Sequence, residues 1–116
     1  MYAIVSDVRL LTGVPSTVIS DADMTSLIAL SDAQIYDDIG PQSAPVPTRI
    51  KHLSSLLTAI KVYNRPDLRG GFSAGGFSKS GEQIEEALQR WEREVRRIYA
   101  YYGKAPREVK PYFGRT

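Results

Sequence analysis

One stretch constrains the chain more than any other, residues 80–103, SGEQIEEALQRWEREVRRIYAYYG. Its large apolar residues are Ile84, Leu88, Trp91, Val95, Ile98 and Tyr102. The steps between them alternate between four and three, the spacing of one helix face, and Ala87 and Tyr99 widen the stripe. Ser80 and Gln83 stand three apart, as a capping box requires. Glu82, Glu85 and Glu86 lie near the positive end of the helix dipole, and Arg93, Arg96 and Arg97 toward the negative end. Glu86–Arg90 and Glu92–Arg96 are acid-first i, i+4 pairs. Gly103 stops the helix and Pro106 prevents its resumption. About 21 residues at 1.5 Å each span roughly 30 Å, the width of a small domain. The other helices are therefore expected to pack against this one.

The rest of the chain supplies them. Ser6 reads as the N-cap of a short helix with Asp7 in its first turn, carrying Val8, Leu10 and Leu11 and ended near Thr12-Gly13. Ser20 caps a second helix with Met24, Leu27, Ile28, Ile35 and Ile39 on one face and Ser31 filling the gap. On that helix Asp32, Asp37 and Asp38 are expected to face water. Gly40-Pro41 ends it, and a proline-rich loop follows over 41–47. Thr48 is read as the cap of a third helix. Its apolar face is Ile50, Leu53, Leu57 and Ile60, broadened by Leu56, and it ends before Pro66. Residues 66–80, PDLRGGFSAGGFSKS, break the helical pattern with four glycines and a repeated Gly-Phe-Ser. They read as a β-hairpin or an arm that orders on contact, with Phe72 and Phe77 reaching a partner or tucked on the core. The expected fold is all-α: a small bundle of one short and three longer helices over 1–103, with a Gly-rich insertion before the last helix. Residues 104–116, KAPREVKPYFGRT, form an extended basic tail.

With 116 residues the chain makes one small domain. It has no cysteine, which excludes disulfides, thiolate zinc sites and cysteine catalysis. No apolar run approaches the ~18 residues of a membrane span, and no secretory signal is visible. Charge is partitioned. Residues 1–47 carry six Asp against one Arg, a net of −5, and residues 48–116 carry 14 basic against seven acidic side chains, a net of +7. Such asymmetry suits nucleic-acid contact by the basic part, or head-to-tail association of identical subunits.

Catalytic patterns are missing. His52 is a lone histidine on the third helix, a poor metal ligand without partners. Asp21 with Asp23, and Asp37 with Asp38, lack calcium-loop spacing and are explained by capping and solvation. Lys79-Ser80-Gly81 runs in the wrong order for a phosphate-binding loop. No catalytic, metal-binding or cofactor-binding residue is expected, and no cofactor. Arg90, Arg93 and Arg97 share a water-facing side of the last helix, and the tail adds further cations. Five glutamates on the same helix oppose sequence-specific DNA reading and leave room for non-specific contact.

The opening MYAIVSDVRLLTGV and the segment SDADMTSLIALSDAQIYDDIG resemble the head–tail connector (adaptor) proteins of tailed double-stranded DNA phages. The matching residues are Asp7, Val8, Leu11, Gly13, Ser20, Asp21, Leu27, Ile28 and Ile35. In layout the likeness covers the whole chain; in motif it covers the first forty residues or so. The double Gly-Gly-Phe-Ser and the proline-rich loop depart from many members. The resemblance implies a non-enzymatic virion protein of the neck, assembled in the host cytoplasm. It would form a ring, usually a dodecamer, below the portal, extend the DNA channel and dock the stopper or tail. It further implies that Arg107, Val109, Lys110, Tyr112 and Phe113 reach the portal, and that Phe72 and Phe77 contact a neighbour. Asp32, Asp37 and Asp38 would meet Arg90, Arg93 and Arg97 across the subunit interface. The alternative reading is a small helical-bundle regulator that binds DNA or protein.

Overall fold

In the computed structural model, residues 1–74 and 77–103 are described. They form an all-α bundle with one small hairpin. In order the elements are α1 (Val5–Thr12), α2 (Asp21–Asp38), α3 (Thr48–Tyr63), α4 (Pro66–Arg69), β1 (Gly71–Ala74), β2 (Phe77–Ser80) and α5 (Gly81–Tyr101). No helix among the described residues is long and apolar enough to cross a membrane.

The caps explain most boundaries. The Ser80 hydroxyl accepts from the Gln83 N–H, and the Gln83 side chain accepts from the Ser80 N–H. This is the expected capping box, and it starts α5 where the apolar stripe begins. Ser20 caps α2 by accepting from the Asp23 N–H. Two expected caps are corrected. Ser6 lies inside the first turn of α1, because extended Ile4 occupies the cap position and its carbonyl already accepts from Asp7 N–H. Thr48 is the first helical residue of α3, because Pro47 stands at its cap with an extended backbone and no side chain to offer. Gly13 closes α1 in the left-handed region at φ 73°, its N–H donating to the Arg9 carbonyl. The Arg9 guanidinium then fastens the turn to α2, donating to the Val14 and Ile19 carbonyls and to Asp21 Oδ1.

The centre of the bundle is α3, not α5. Helices α1, α2 and α5 all pack on α3, and every residue from 53 to 60 is buried. Leu53, Leu56, Leu57 and Ile60 join Val8, Ile28, Ile35, Ile84, Leu88 and Val95 in one core. Where α3 meets α2, small hydroxyl side chains replace aliphatic ones. Thr58 donates to Ser31 Oγ at 2.8 Å, and Ser31 donates to the Leu27 carbonyl. Ser54 donates to Asp32 Oδ1 at 2.7 Å. Each buried hydroxyl thus has a partner, so burial there costs little. Where α3 meets α5, Tyr63 and Trp91 pack with ring centroids 4.9 Å apart. The Tyr63 hydroxyl crosses to donate to the Thr12 carbonyl and ties the ends of α1 and α3 together.

The Gly-rich insertion is one helical turn followed by an antiparallel hairpin. Its register pairs Gly71 with Ser80 and Ala74 with Phe77. Pro66 sits at the first helical position of α4, which suits its fixed φ. Gly71 is obligatory: its φ is +113°, and a Cβ there would lie 2.9 Å from the Lys79 carbonyl oxygen. Phe72 is half-buried and meets Tyr63 edge-on at 6.2 Å. Of the two roles weighed for Phe72, the structure places it on the core.

Candidate functional site

Helices α2 and α5 flank α3 on two sides, and no Cα of one lies within 8 Å of the other. Each buries its inner face against the core and leaves an outer face to water, and the two helices touch where the Tyr99 hydroxyl donates to Asp38. Those two faces carry the unusual surface chemistry of the molecule.

On α5 the outer face changes sign along its length. Glu82, Glu85 and Glu86 are exposed in the first turns, and Arg90, Arg93, Arg96 and Arg97 in the later ones. Glu85 is taken by Arg69 of α4, which braces the insertion. Arg97 pairs with Glu94 one turn back. The expected Glu86–Arg90 pair does not form; both side chains are exposed. Arg93 and Arg96 have no ion-pair partner among the described residues. Burial raises the Tyr63 phenol above its ordinary pKa, and the Arg90 cation pulls it partly back. At the end of α5, the Arg49 guanidinium lies 3.6 Å over the Tyr101 ring. That contact holds the end of α5 to the first turn of α3.

On α2 the outer face is nearly free of charge. Ala22, Ser26, Ala29, Leu30, Ala33 and Tyr36 are all exposed, with Asp23 and Asp37 near the two ends. Leu30 is 58% and Tyr36 57% exposed. Met1, Tyr2, Ala33, Tyr36 and Asp37 line an open groove of about 390 Å³ beside it. Between Arg9 and Arg49 there is no basic residue. A surface helix of a soluble domain normally carries mixed charge on this side.

The structure corrects the reading of the three α2 aspartates. Asp37 is exposed, as expected. Asp32 is half-buried and accepts from the Tyr2 N–H at 3.0 Å and from Ser54. Asp38 is half-buried and accepts from the Tyr99 hydroxyl at 2.6 Å. Asp32 and Asp38 therefore hold the N-terminal segment and α5 in place rather than facing water. Arg90, Arg93 and Arg97 are exposed where the helical spacing put them. The Phe77 side chain and Arg107, Val109, Lys110, Tyr112 and Phe113 lie outside the described residues. Leu30, Ala33 and Tyr36 are the residues that sequence reasoning missed. Their signal was present: the water-facing positions of the second helix carry no charge between Asp23 and Asp37.

Chemistry of other kinds finds little footing. No group of His, Cys, Asp or Glu among the described residues could hold a metal ion. His52 is exposed and, with Asp7, Leu10, Leu11, Lys51 and Ser55, lines a second open groove between α1 and α3. Lys61, at the α2–α3 seam, donates to Gln34 Oε1 at 2.9 Å. Burial lowers its pKa from 10.5 to about 8. No protein-family model, no curated protein and no solved structure matches this chain.

Proposed function

We propose that the chain is a structural adaptor of the neck of a tailed double-stranded DNA phage. Copies would assemble into a ring, of dodecameric order, below the portal. The ring would extend the DNA channel and give the stopper or tail a docking surface. The reading begins from the likeness of residues 1–40 to head–tail connector proteins. The observation that carries it further is the contrast between two outer faces that do not meet within the subunit: weakly acidic and partly apolar on α2, basic on the later turns of α5. A ring needs such a heterologous pair of faces, since each subunit offers one to the neighbour before it and the other to the neighbour after it. The basic tail, residues 104–116, would reach the portal.

Cosedimentation with the portal protein of the same phage tests this. The chain is expected to travel with assembled portal rings and to lose that binding when residues 104–116 are deleted. The exposed arginines of α5 favour one other reading, a regulator that binds DNA. That reading predicts DNA binding by the isolated chain, falling steeply with salt, and no association with the portal.

A further inference from the structure

We infer that the outer face of α2 is a docking surface for a second copy of this chain, and that the face it receives is the basic later half of α5. The inference deepens the ring reading and rests on it for the identity of the occupant.

Four observations select this partner. The α2 face exposes two large apolar side chains, Leu30 and Tyr36, among small residues. Its charges, Asp23 and Asp37, are both acidic and both lack an ion-pair partner among the described residues. The α5 face offers Arg93 and Arg96, unpaired in the same sense, with Arg90 and Arg97 beside them. Finally, α2 and α5 have no Cα pair within 8 Å, and where they do touch, Tyr99 to Asp38, the contact lies on their buried sides and not on these faces. Opposite charge on faces that do not meet within the subunit can pair between molecules, each passing the contact on to the next.

The contact is weak taken singly. An 18-residue helix is about 27 Å long and about 10 Å wide, a footprint well short of the ~800 Å² that each partner gives a stable interface. Free copies should therefore associate only at high concentration, and the α2–α5 contact should become persistent when a template gathers them. Asp32 and Asp38 take no part, since both are engaged inside the subunit.

The absence of cysteine makes the test direct. The double variant Ala33→Cys, Arg93→Cys is oxidised as full-length chain at high concentration, and a short bismaleimide is used in parallel to tolerate small errors of register. A disulfide needs Cα atoms within about 7 Å, so the two positions cannot join inside one chain. The expected result is a ladder of dimer, trimer and higher species from the double variant, and loss of the ladder when Leu30→Glu is added. Each single-cysteine variant should stop at a faint dimer. Circular dichroism of every variant checks that it is folded; both positions are exposed, so native spectra are expected. A folded double variant that gives no more product than the singles overturns the inference. So does a strong dimer from Ala33→Cys alone, which would mean that α2 meets α2. Repeating the reaction on portal-bound protein separates the two readings. A ladder without portal binding keeps the α2–α5 contact and removes the adaptor role. Portal-bound rings with no ladder keep the adaptor role and remove this contact.

Discussion

Helices α3 and α5 cross at Tyr63 and Trp91, yet they are built on opposite plans. On α5 the inner residues Ile84, Leu88, Trp91, Val95 and Ile98 are buried and the outer ones are charged. On α3 the whole run from 53 to 60 is buried, and the polar positions are Ser54, Ser55 and Thr58. The first plan gives a strong 3.6-residue period, the second a blurred one. A loud period marks a helix with one side in water. The helix at the centre of the bundle is quiet, because along 53–60 it has no water side to set the contrast. The polar residues that α3 can keep are those small enough to be satisfied by a neighbour or by their own helix, as Thr58 is by Ser31 and Ser55 is by the Lys51 carbonyl.

The comparison breaks most violently at Thr58. The change Thr58→Lys would place a cation where the hydroxyl is fully buried, at a cost of several kcal/mol that a small domain cannot offset. Circular dichroism should show an unfolded chain. Survival of the native spectrum would mean that the 53–60 run of α3 reaches water after all. Next comes Trp91, where the two plans meet at 4% exposure. Trp91→Ala should cost about 3–5 kcal/mol in urea unfolding, as large aromatic truncations in cores do. A cost below 1 kcal/mol would show the α3–α5 seam to be loosely packed.

Lys61 sharpens the comparison through pH. Its pKa in the folded chain is about 8, below the ordinary 10.5. Between these values the unfolded chain binds more protons, so stability should rise with pH from about 8 to 10, by at most about 1.4 kcal/mol per unit. Below pH 8 both states hold the proton and the penalty is constant. Lys61→Met should remove the slope and stabilise the chain at neutral pH. An unchanged slope in the variant would assign it to another group. The smallest effect belongs to the outer face of α5. Arg93→Ala should alter stability by no more than about 0.5 kcal/mol, because the exposed side chain has no ion-pair partner among the described residues. A larger loss would mean that this face serves the fold.

The legible and illegible parts of the chain divide by sequence distance. The Ser80–Gln83 box, the Ser20 cap and the Met24, Ile28, Ser31, Ile35 stripe depend on neighbours within a turn or two, and the structure bears all of them out. The aspartates could not be read that way. Asp32 is bound by Ser54, 22 residues on, and Asp38 by Tyr99, 61 residues on. Their partners exist only once α2, α3 and α5 are assembled. The centrality of α3 was hidden for the same reason: its extra buried sides are set by where α1 and α5 land. The turn Pro66–Arg69 was overlooked because the glycines that follow dominate that segment. Of the candidate site, the exposed arginines of α5 followed from helical spacing. The α2 face did not, since its signal is a lack of charge.

On the proposed reading, α3 keeps the fold while the outer faces of α2 and α5 keep the assembly. Electron microscopy of the chain mixed with its portal, for wild type beside the double variant Arg93→Asp, Arg96→Asp, tests it most directly. The account predicts a ring stacked coaxially on the portal for wild type. For the variant it predicts a native circular dichroism spectrum and no ring. Rings formed equally well by both proteins would contradict it.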